Sequence, residues 1–375
     1  MLAGARIAIV SGTGGGSRRY RCEHRAESLE QVGAAVEIVP FRKAEIEGVA
    51  ARHELLILHR VPAGGKLDTI ARAARSRAVP VLYDTDDLIF DPALAGRIPW
   101  MTKLPQPERE EKLERRRRAL VASHGVLVST EALARAAGAL NPHVAVLSNV
   151  VSDGMVAAAN AALARREPEA AAVTIGYFSG TASHDADFLQ AATAVLDVLA
   201  ALPQARLLVV GPLELDERFV GLSSRIERLE RRPFDELPEL IRLADVALAP
   251  LELGNRFAEA KSSIKYLEAG LVGVPVVASR TEEFARVIED GRNGLLAADP
   301  AEWREKLFAL VADAGLRRAV GERAHADVRA RHTTSATAEA QATALAALAG
   351  PLPQRPRRGW PPLRAIVRRG TKRLR

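Results

Sequence analysis

VTIGYFSGTASHDADF, residues Val173–Phe188, begins as the chain itself does near its start, with RIAIVSGTGGGS at Arg6–Ser17. In both places an apolar run of strand length ends in a turn of serine, glycine and threonine, and a helix-like stretch follows. Outward from the first, strand-like runs stand at Arg6–Val10, Ala35–Val39, Leu55–Leu58, Val79–Tyr83, Gly125–Val128 and Val144–Leu147. Helical stretches such as Cys22–Val32 and Gly65–Ser76 lie between them. Outward from the second, the strands are Val173–Tyr177, Arg206–Val210, Val246–Ala249, Val274–Ala278 and Gly294–Leu296. Their helices include Asp185–Leu202, Phe234–Leu243, Ser262–Leu271 and Thr281–Asp290, with two or three closing helices over Pro300–Leu348.

Strand, helix, strand at this spacing predicts an α/β protein with parallel sheets covered on both faces. The alanine-rich stretch Asn149–Glu169 reads as a crossover between two doubly wound domains, 1–150 and 151–350, followed by a basic tail, 351–375. Open parallel sheets bind ligands at the carboxyl ends of their strands, so two such sheets facing each other predict a cleft lined by post-strand residues.

Composition narrows the class. With 48% hydrophobic and 26% charged residues the chain reads as globular, and 4% aromatic residues argue against a base-stacking nucleic-acid surface. One cysteine, Cys22, excludes a disulfide framework and a cysteine-rich metal site. No run approaches the length of a membrane span, and the apolar start is too short for a signal-peptide core, so a cytoplasmic setting is expected. The net charge is +7, but nine Arg or Lys and no acid fall in residues 355–375, leaving the other 354 residues at −2. The basicity belongs to a tail, and nucleic acid is not expected as a partner.

Four post-strand segments carry candidate chemistry. In Ser11–Ser17, glycines such as Gly14 and Gly15 let backbone amides approach an anion or a sugar closely, although neither a P-loop nor GxGxxG spacing is present. In YDTDDLIFD, Tyr83–Asp91, the pair Asp84 and Asp86 has metal-holding spacing, but a stable metal site is not expected. Asp86 or Asp87 is the candidate cleft carboxylate, able to bind sugar hydroxyls or take a proton. In Ile175–Phe188, exposed amides at Ser179, Gly180 and Thr181 suit a diphosphate, with His184 in reach of a phosphate oxygen. In Asn255–Ser279, Lys261 and Lys265 share a helix face if the helix starts early enough. Ser262 or Ser263 can cap that helix, and Glu268, about one turn after Lys265, suits a ribose diol.

KSSIKYLEAGLVGVPVVAS at Lys261–Ser279 resembles the nucleotide-sugar segment of retaining glycosyltransferases of the GT-B fold, family four, which ends Glu-Ala-x-x-x-Gly-x-Pro-Val-Val-Ala. ADVALAPLE (Ala244–Glu252), GRNGLLAADPAEWREKL (Gly291–Leu307) and HADVRARHT (His325–Thr333) resemble its flanking stretches, and LSNVV (Leu147–Val151) its hinge. GYFSGT, the DxDD motif and KSxxK together are similar to a divergent bacterial polysaccharide subgroup. The resemblance implies two Rossmann-like domains, an acceptor-side first domain and a nucleotide-sugar-binding second domain. By it Glu268 holds the ribose, Ser262, Ser263 and their amides hold the diphosphate, and Lys261 and Lys265 neutralise the departing nucleotide diphosphate. Retention without metal or added cofactor is implied, with the nucleotide-diphosphate sugar as co-substrate. One departure stands out: the family's first glutamate falls at Ala260, with Glu259 and Lys261 as neighbours. That departure keeps open a non-catalytic protein binding sugar nucleotides or glycans on the same fold. The tail, with Trp360, Leu363 and Ile366 among its basic residues, suits an anionic membrane surface and a glycan or lipid-linked acceptor.

Overall fold

The computed structural model describes residues 2–43, 46–165, 172–180 and 185–353. The first sheet is built from β1 (Arg6–Ser11), β2 (Ala35–Pro40), β3 (Leu55–His59), β4 (Val81–Thr85), β5 (Gly125–Val128) and β6 (Val144–Val146). The second is built from β7 (Val173–Phe178), β8 (Ala205–Val210), β9 (Ile226–Leu229), β10 (Val246–Ala249), β11 (Val276–Ser279) and β12 (Leu295–Ala297). Their orders are β2-β1-β3-β4-β5-β6 and β12-β11-β10-β7-β8-β9, and every pairing is parallel.

Helices cover both faces, which is why the central strands are apolar throughout rather than alternating. All five residues of β3 and all four of β10 are buried. Each sheet has one place where the direction of winding reverses. In the first it lies between β1, whose Ile7 pairs with both Val36 and Leu55, and β3. In the second it lies between β7 and β10, where Ile175 pairs with Val246. Beyond these strand ends a crevice opens for a ligand.

Boundaries differ from expectation where a proline or a distant partner intervenes. β4 begins after Pro80 and β11 after Pro275, since proline gives the ladder no N–H. The amide of Val274 instead closes the preceding helix on the carbonyl of Ala269, at 3.0 Å. β9, IERL, is an edge strand with Glu227 and Arg228 exposed, and it carries no apolar run to announce it. The helix expected from Ser262 starts at Ile264, so Lys261 precedes it and does not share its face with Lys265. The helix expected over Phe234–Leu243 is reduced to the turns Phe234–Glu236 and Leu237–Ile241.

The two halves exchange side chains. Phe257 and Ala260 pack into the core of the first sheet, and Tyr20 packs among Met155, Tyr266 and Ala269 of the second. The closing helices are Pro300–Ala312, Ala314–Arg331 and Thr334–Ala349. The last, grouped with the second domain in the sequence reading, returns to the first, where Ala342 and Leu345 pack with Ile7 and Leu29.

Candidate active site between the two sheets

At the winding reversal of the second sheet, two lysines converge on the end of β7. Lys265, in the first turn of the helix Ile264–Leu271, donates to the carbonyl of Phe178 and lies 4.8 Å from the centre of the Tyr177 ring. Burial lowers its pKa to about 8. Lys261 donates to Asp187 Oδ2 at 2.8 Å, near the start of the helix Asp185–Ala201. Glu268 lies one turn beyond Lys265, part-buried, and burial pushes its carboxyl above the usual range. Two cations, the free amides of a helix start and a carboxylate thus lie together at the mouth of a parallel sheet. Such a set is chemically suited to a nucleoside diphosphate: amides and ammoniums to phosphate, a carboxylate to a diol.

The neighbouring serines divide. Ser262 Oγ accepts from Asn149 Nδ2 at 2.8 Å, across the domain junction. Ser263 stands at the cap position but makes no side-chain capping bond. Its buried hydroxyl donates instead to Glu283 Oε1 at 3.1 Å. Ser179 is buried, with its amide donating to the Val210 carbonyl at 2.8 Å. Its backbone presses on Gly211, where a Cβ would stand 2.2 Å from the Ser179 carbonyl oxygen at a φ of +86°. Gly180 is exposed, and its carbonyl accepts from Arg231. Thr181 and His184 lie outside the described residues.

At the reversal of the first sheet stands a network that the sequence reading grasped only in part. Arg60 Nε donates to Asp86 Oδ1 at 2.8 Å, and its Nη2 donates to Asp87 Oδ2 at 2.6 Å. Ser17 Oγ donates to Asp86 Oδ1 at 2.7 Å and lies 2.9 Å from His59 Nε2. Burial pushes the Asp86 carboxyl up, but Arg60 and His59 outweigh it and hold the acid well below the usual range. Gly12 cannot be replaced cheaply, since a Cβ would stand 2.6 Å from the Arg60 carbonyl oxygen. Gly14 and Gly15 are exposed at the head of this loop, with open space around them. Asp84 is wholly buried and takes both arms of the equally buried Arg21, each at 2.8 Å. The Asp-x-Asp pair is thereby divided between two arginines, and Asp87, part-buried, is half of an ion pair rather than a lone base.

The sheets meet through specific contacts. Thr130 Oγ1 donates to the carbonyl of Ala260 at 3.0 Å, and Tyr20 Oη donates to Glu268 Oε1 at 2.7 Å. Ala260 is 1% exposed, so the position where the family carries its first glutamate is packed into the first domain. Glu259 does not replace it: its Oε1 accepts from the Gly254 amide at 2.9 Å. Glu259 and Ala260 both line a cavity of about 550 Å³ between the two halves, beside Leu88, Phe90, Arg135 and Arg256.

The structure therefore brings Lys261, Lys265, Glu268 and the Ser262–Ser263 backbone to one sheet's mouth, and Asp87 with Gly14 and Gly15 to the other's. Sequence reasoning missed Ser17, His59, Arg60 and Tyr20. His59 and Arg60 were reachable, since LLILHR at Leu55–Arg60 is a strand followed by two polar residues. Tyr20 carried no local signal.

Two parallel six-stranded sheets with facing binding mouths define the GT-B architecture of glycosyltransferases. Residues 172–313 match the family described as "Glycosyl transferases group 1". A D-inositol 3-phosphate glycosyltransferase of Corynebacterium jeikeium is 34% identical over 162 residues, which is 39% of this chain and 37% of that protein. Its counterpart in Corynebacterium urealyticum is 30% identical over 146 residues, 36% and 33% respectively. The chain spans about a third of the length of these curated relatives. Over the whole fold it is similar to Anabaena Alr3699/HepE in complex with UDP and glucose, with a TM-score of 0.61 at 16% identity over 92% of this chain and 100% of that one. It is similar also to sucrose-phosphate synthase from Thermosynechococcus elongatus, with a TM-score of 0.62 at 15% identity over 92% and 99%. At such identity these likenesses establish the fold alone. No helix among the described residues is long and apolar enough to cross a membrane.

Proposed function

We propose that the protein is a glycosyltransferase that takes a nucleotide-diphosphate sugar in its second domain and passes the sugar to an acceptor held against the first. The observation carrying this reading is the convergence of Lys261, Lys265 and the start of the helix Ile264–Leu271 on the end of β7, with Glu268 one turn on. Cations aimed at the diphosphate stabilise the charge that develops as it leaves, which is the largest demand in breaking the glycosidic bond. Asp84 and Asp86 are committed to Arg21 and Arg60, so the lysines and amides are the groups left to do that work, and transfer proceeds without a metal. Retention follows if the leaving phosphate, held by Lys265, receives the acceptor's proton on the same face. Arg60, Asp86 and Asp87 then line the acceptor side, and the acceptor is a glycan or a lipid-linked sugar. A membrane surface under the basic tail, whose residues from 354 on lie outside those described, would suit the lipid-linked case.

A second reading has its own observation. Ala260 is buried where the family carries a glutamate, and Glu259 is turned onto its own loop, which favours a sugar-nucleotide-binding protein without transfer. One panel separates the two. UDP-, GDP- and ADP-sugars are titrated into wild type, Glu268→Ala and Lys265→Ala, and hydrolysis and transfer to a mixed acceptor set are followed. Binding lost in both variants together with wild-type turnover supports the enzyme. Binding without turnover on any acceptor favours the second reading, and no binding to a folded sample rejects the site.

A further inference from the structure

A continuous helical stretch runs from Gly15 to Gln31, but its middle, Arg19–Glu23, is wound as a π-helix. A π turn fits an extra residue into the turn, so each residue is rotated less from the last and neighbouring side chains leave in directions that an α-helix would not give them. Here it splits two adjacent residues between two domains. Arg21 points into the first and is wholly buried against Asp84. Tyr20 points into the second, 4% exposed, with its ring edge-on to His24 at 4.8 Å and to Phe234 at 6.0 Å. Arg19 lies 3.7 Å above the centre of the Phe234 ring. The turn therefore plugs a first-domain aromatic into the second domain's core, and its one polar atom meets Glu268.

We infer that Tyr20 is a positioning residue for the nucleotide: from the opposite domain it fixes the carboxylate of Glu268 so that the other oxygen faces the ribose diol. The inference rests on the donor-site reading above. Tyr20 Oη donates to Oε1 at 2.7 Å, and its one other hydrogen bond among the described residues is to the thioether sulfur of Met155, at 4.0 Å. A carboxylate has acceptor sites on both oxygens, so one bond to Oε1 leaves Oε2 for a ligand. Burial alone disfavours the ionised form of Glu268; the tyrosine hydroxyl and Lys265 oppose it. An unheld glutamate there would be both less charged and free to rotate. Because the hydroxyl comes from the other domain, only the docked arrangement of the two domains presents a prepared carboxylate. The competing arrangement, in which Tyr20 blocks the ribose and must be displaced, predicts the opposite response to its removal.

Tyr20→Phe keeps the ring in its aromatic setting and deletes only the hydroxyl. The full chain is titrated calorimetrically with UDP, GDP and ADP, and then with the 2′,3′-dideoxy form of whichever binds; thermal unfolding is measured on the same samples. We expect Tyr20→Phe to bind the nucleotide about tenfold more weakly, as for loss of a bond to a charged group, with little change in melting temperature. The preference for ribose over dideoxyribose should fall by a similar factor. In Glu268→Gln the same tyrosine change should have almost no further effect, because the two act as one unit. Tighter binding by Tyr20→Phe, unchanged binding, or a loss equal for ribose and dideoxy forms would each overturn the inference while leaving the donor site standing. If wild type binds none of the three nucleotides, the donor-site reading falls and this inference with it.

Discussion

Raising the pH from 7 to 9 should weaken nucleoside-diphosphate binding through Lys265. With a pKa of about 8 in the free protein, Lys265 is roughly nine-tenths protonated at pH 7 and one-tenth at pH 9. If only the ammonium form holds the diphosphate, affinity falls about tenfold across that interval. The direction is fixed: burial favours the neutral amine, so the cation is lost on the alkaline side, and bound phosphate pushes the lysine back toward its charged form. Lys265→Arg is the control, since a guanidinium stays charged throughout and any ionisation of the nucleotide itself affects both proteins alike. Calorimetric titration at half-unit pH steps reads the difference. A flat wild-type profile, or an equal fall in Lys265→Arg, would refute the reasoning.

The same burial sets a stability prediction of opposite sign to intuition. The charged form of Lys265 is disfavoured in the fold at pH values below about 8, and that cost disappears as pH rises toward its unfolded value of 10.5. Lys265→Met should therefore stabilise the protein by roughly 1–3 kcal/mol near pH 7 while abolishing nucleotide binding, with the advantage shrinking toward pH 10.5 in denaturant titrations. Arg21→Met strands the buried Asp84 and should cost about 3–5 kcal/mol, of which the double change Arg21→Met/Asp84→Leu recovers most, as read by urea unfolding. Gly211→Ala drives a Cβ into the Ser179 carbonyl in a left-handed backbone and should cost several degrees of melting temperature or the fold itself, whereas Gly180→Ala, whose Cβ would meet nothing within 4 Å among the described residues, should be tolerated.

The architecture was legible because both sheets are doubly covered. Strands buried on both faces are uninterrupted apolar words, and β1, β2 and β5 could be bounded to within a residue of where they stand. β9 was not legible, because an edge strand over an exposed face needs no apolar run. Lys261, Lys265 and Glu268 were legible from a local pattern on one helix and the loop before it. Of the two serines offered as the cap, Ser263 stands at that position, but its hydroxyl is claimed by Glu283, twenty residues away, instead of by the helix amides. Asp84 shared a metal-holding spacing with Asp86, and the sequence did not announce that Arg21 is its partner. Tyr20 and Glu268 are 248 residues apart and meet only once both domains exist. What escaped the sequence reading is largely what the domains do to each other.

The chain crosses between the domains twice, and the crossings are tied together. Val151 on the outward pass donates to the His332 carbonyl and accepts from the Thr334 amide on the return, both at 2.9 Å, in a parallel bridge between Val151 and Thr333. A single connecting strand would act as a ball joint, allowing one domain to swivel in any sense against the other. Two laced strands act as the pins of a door, leaving one line about which the leaves can turn and resisting twist. The return pass also ends on the first domain, with Leu352 against its core. The chain beyond Leu352 is thus tethered to the door frame, and the second domain is the leaf left to swing.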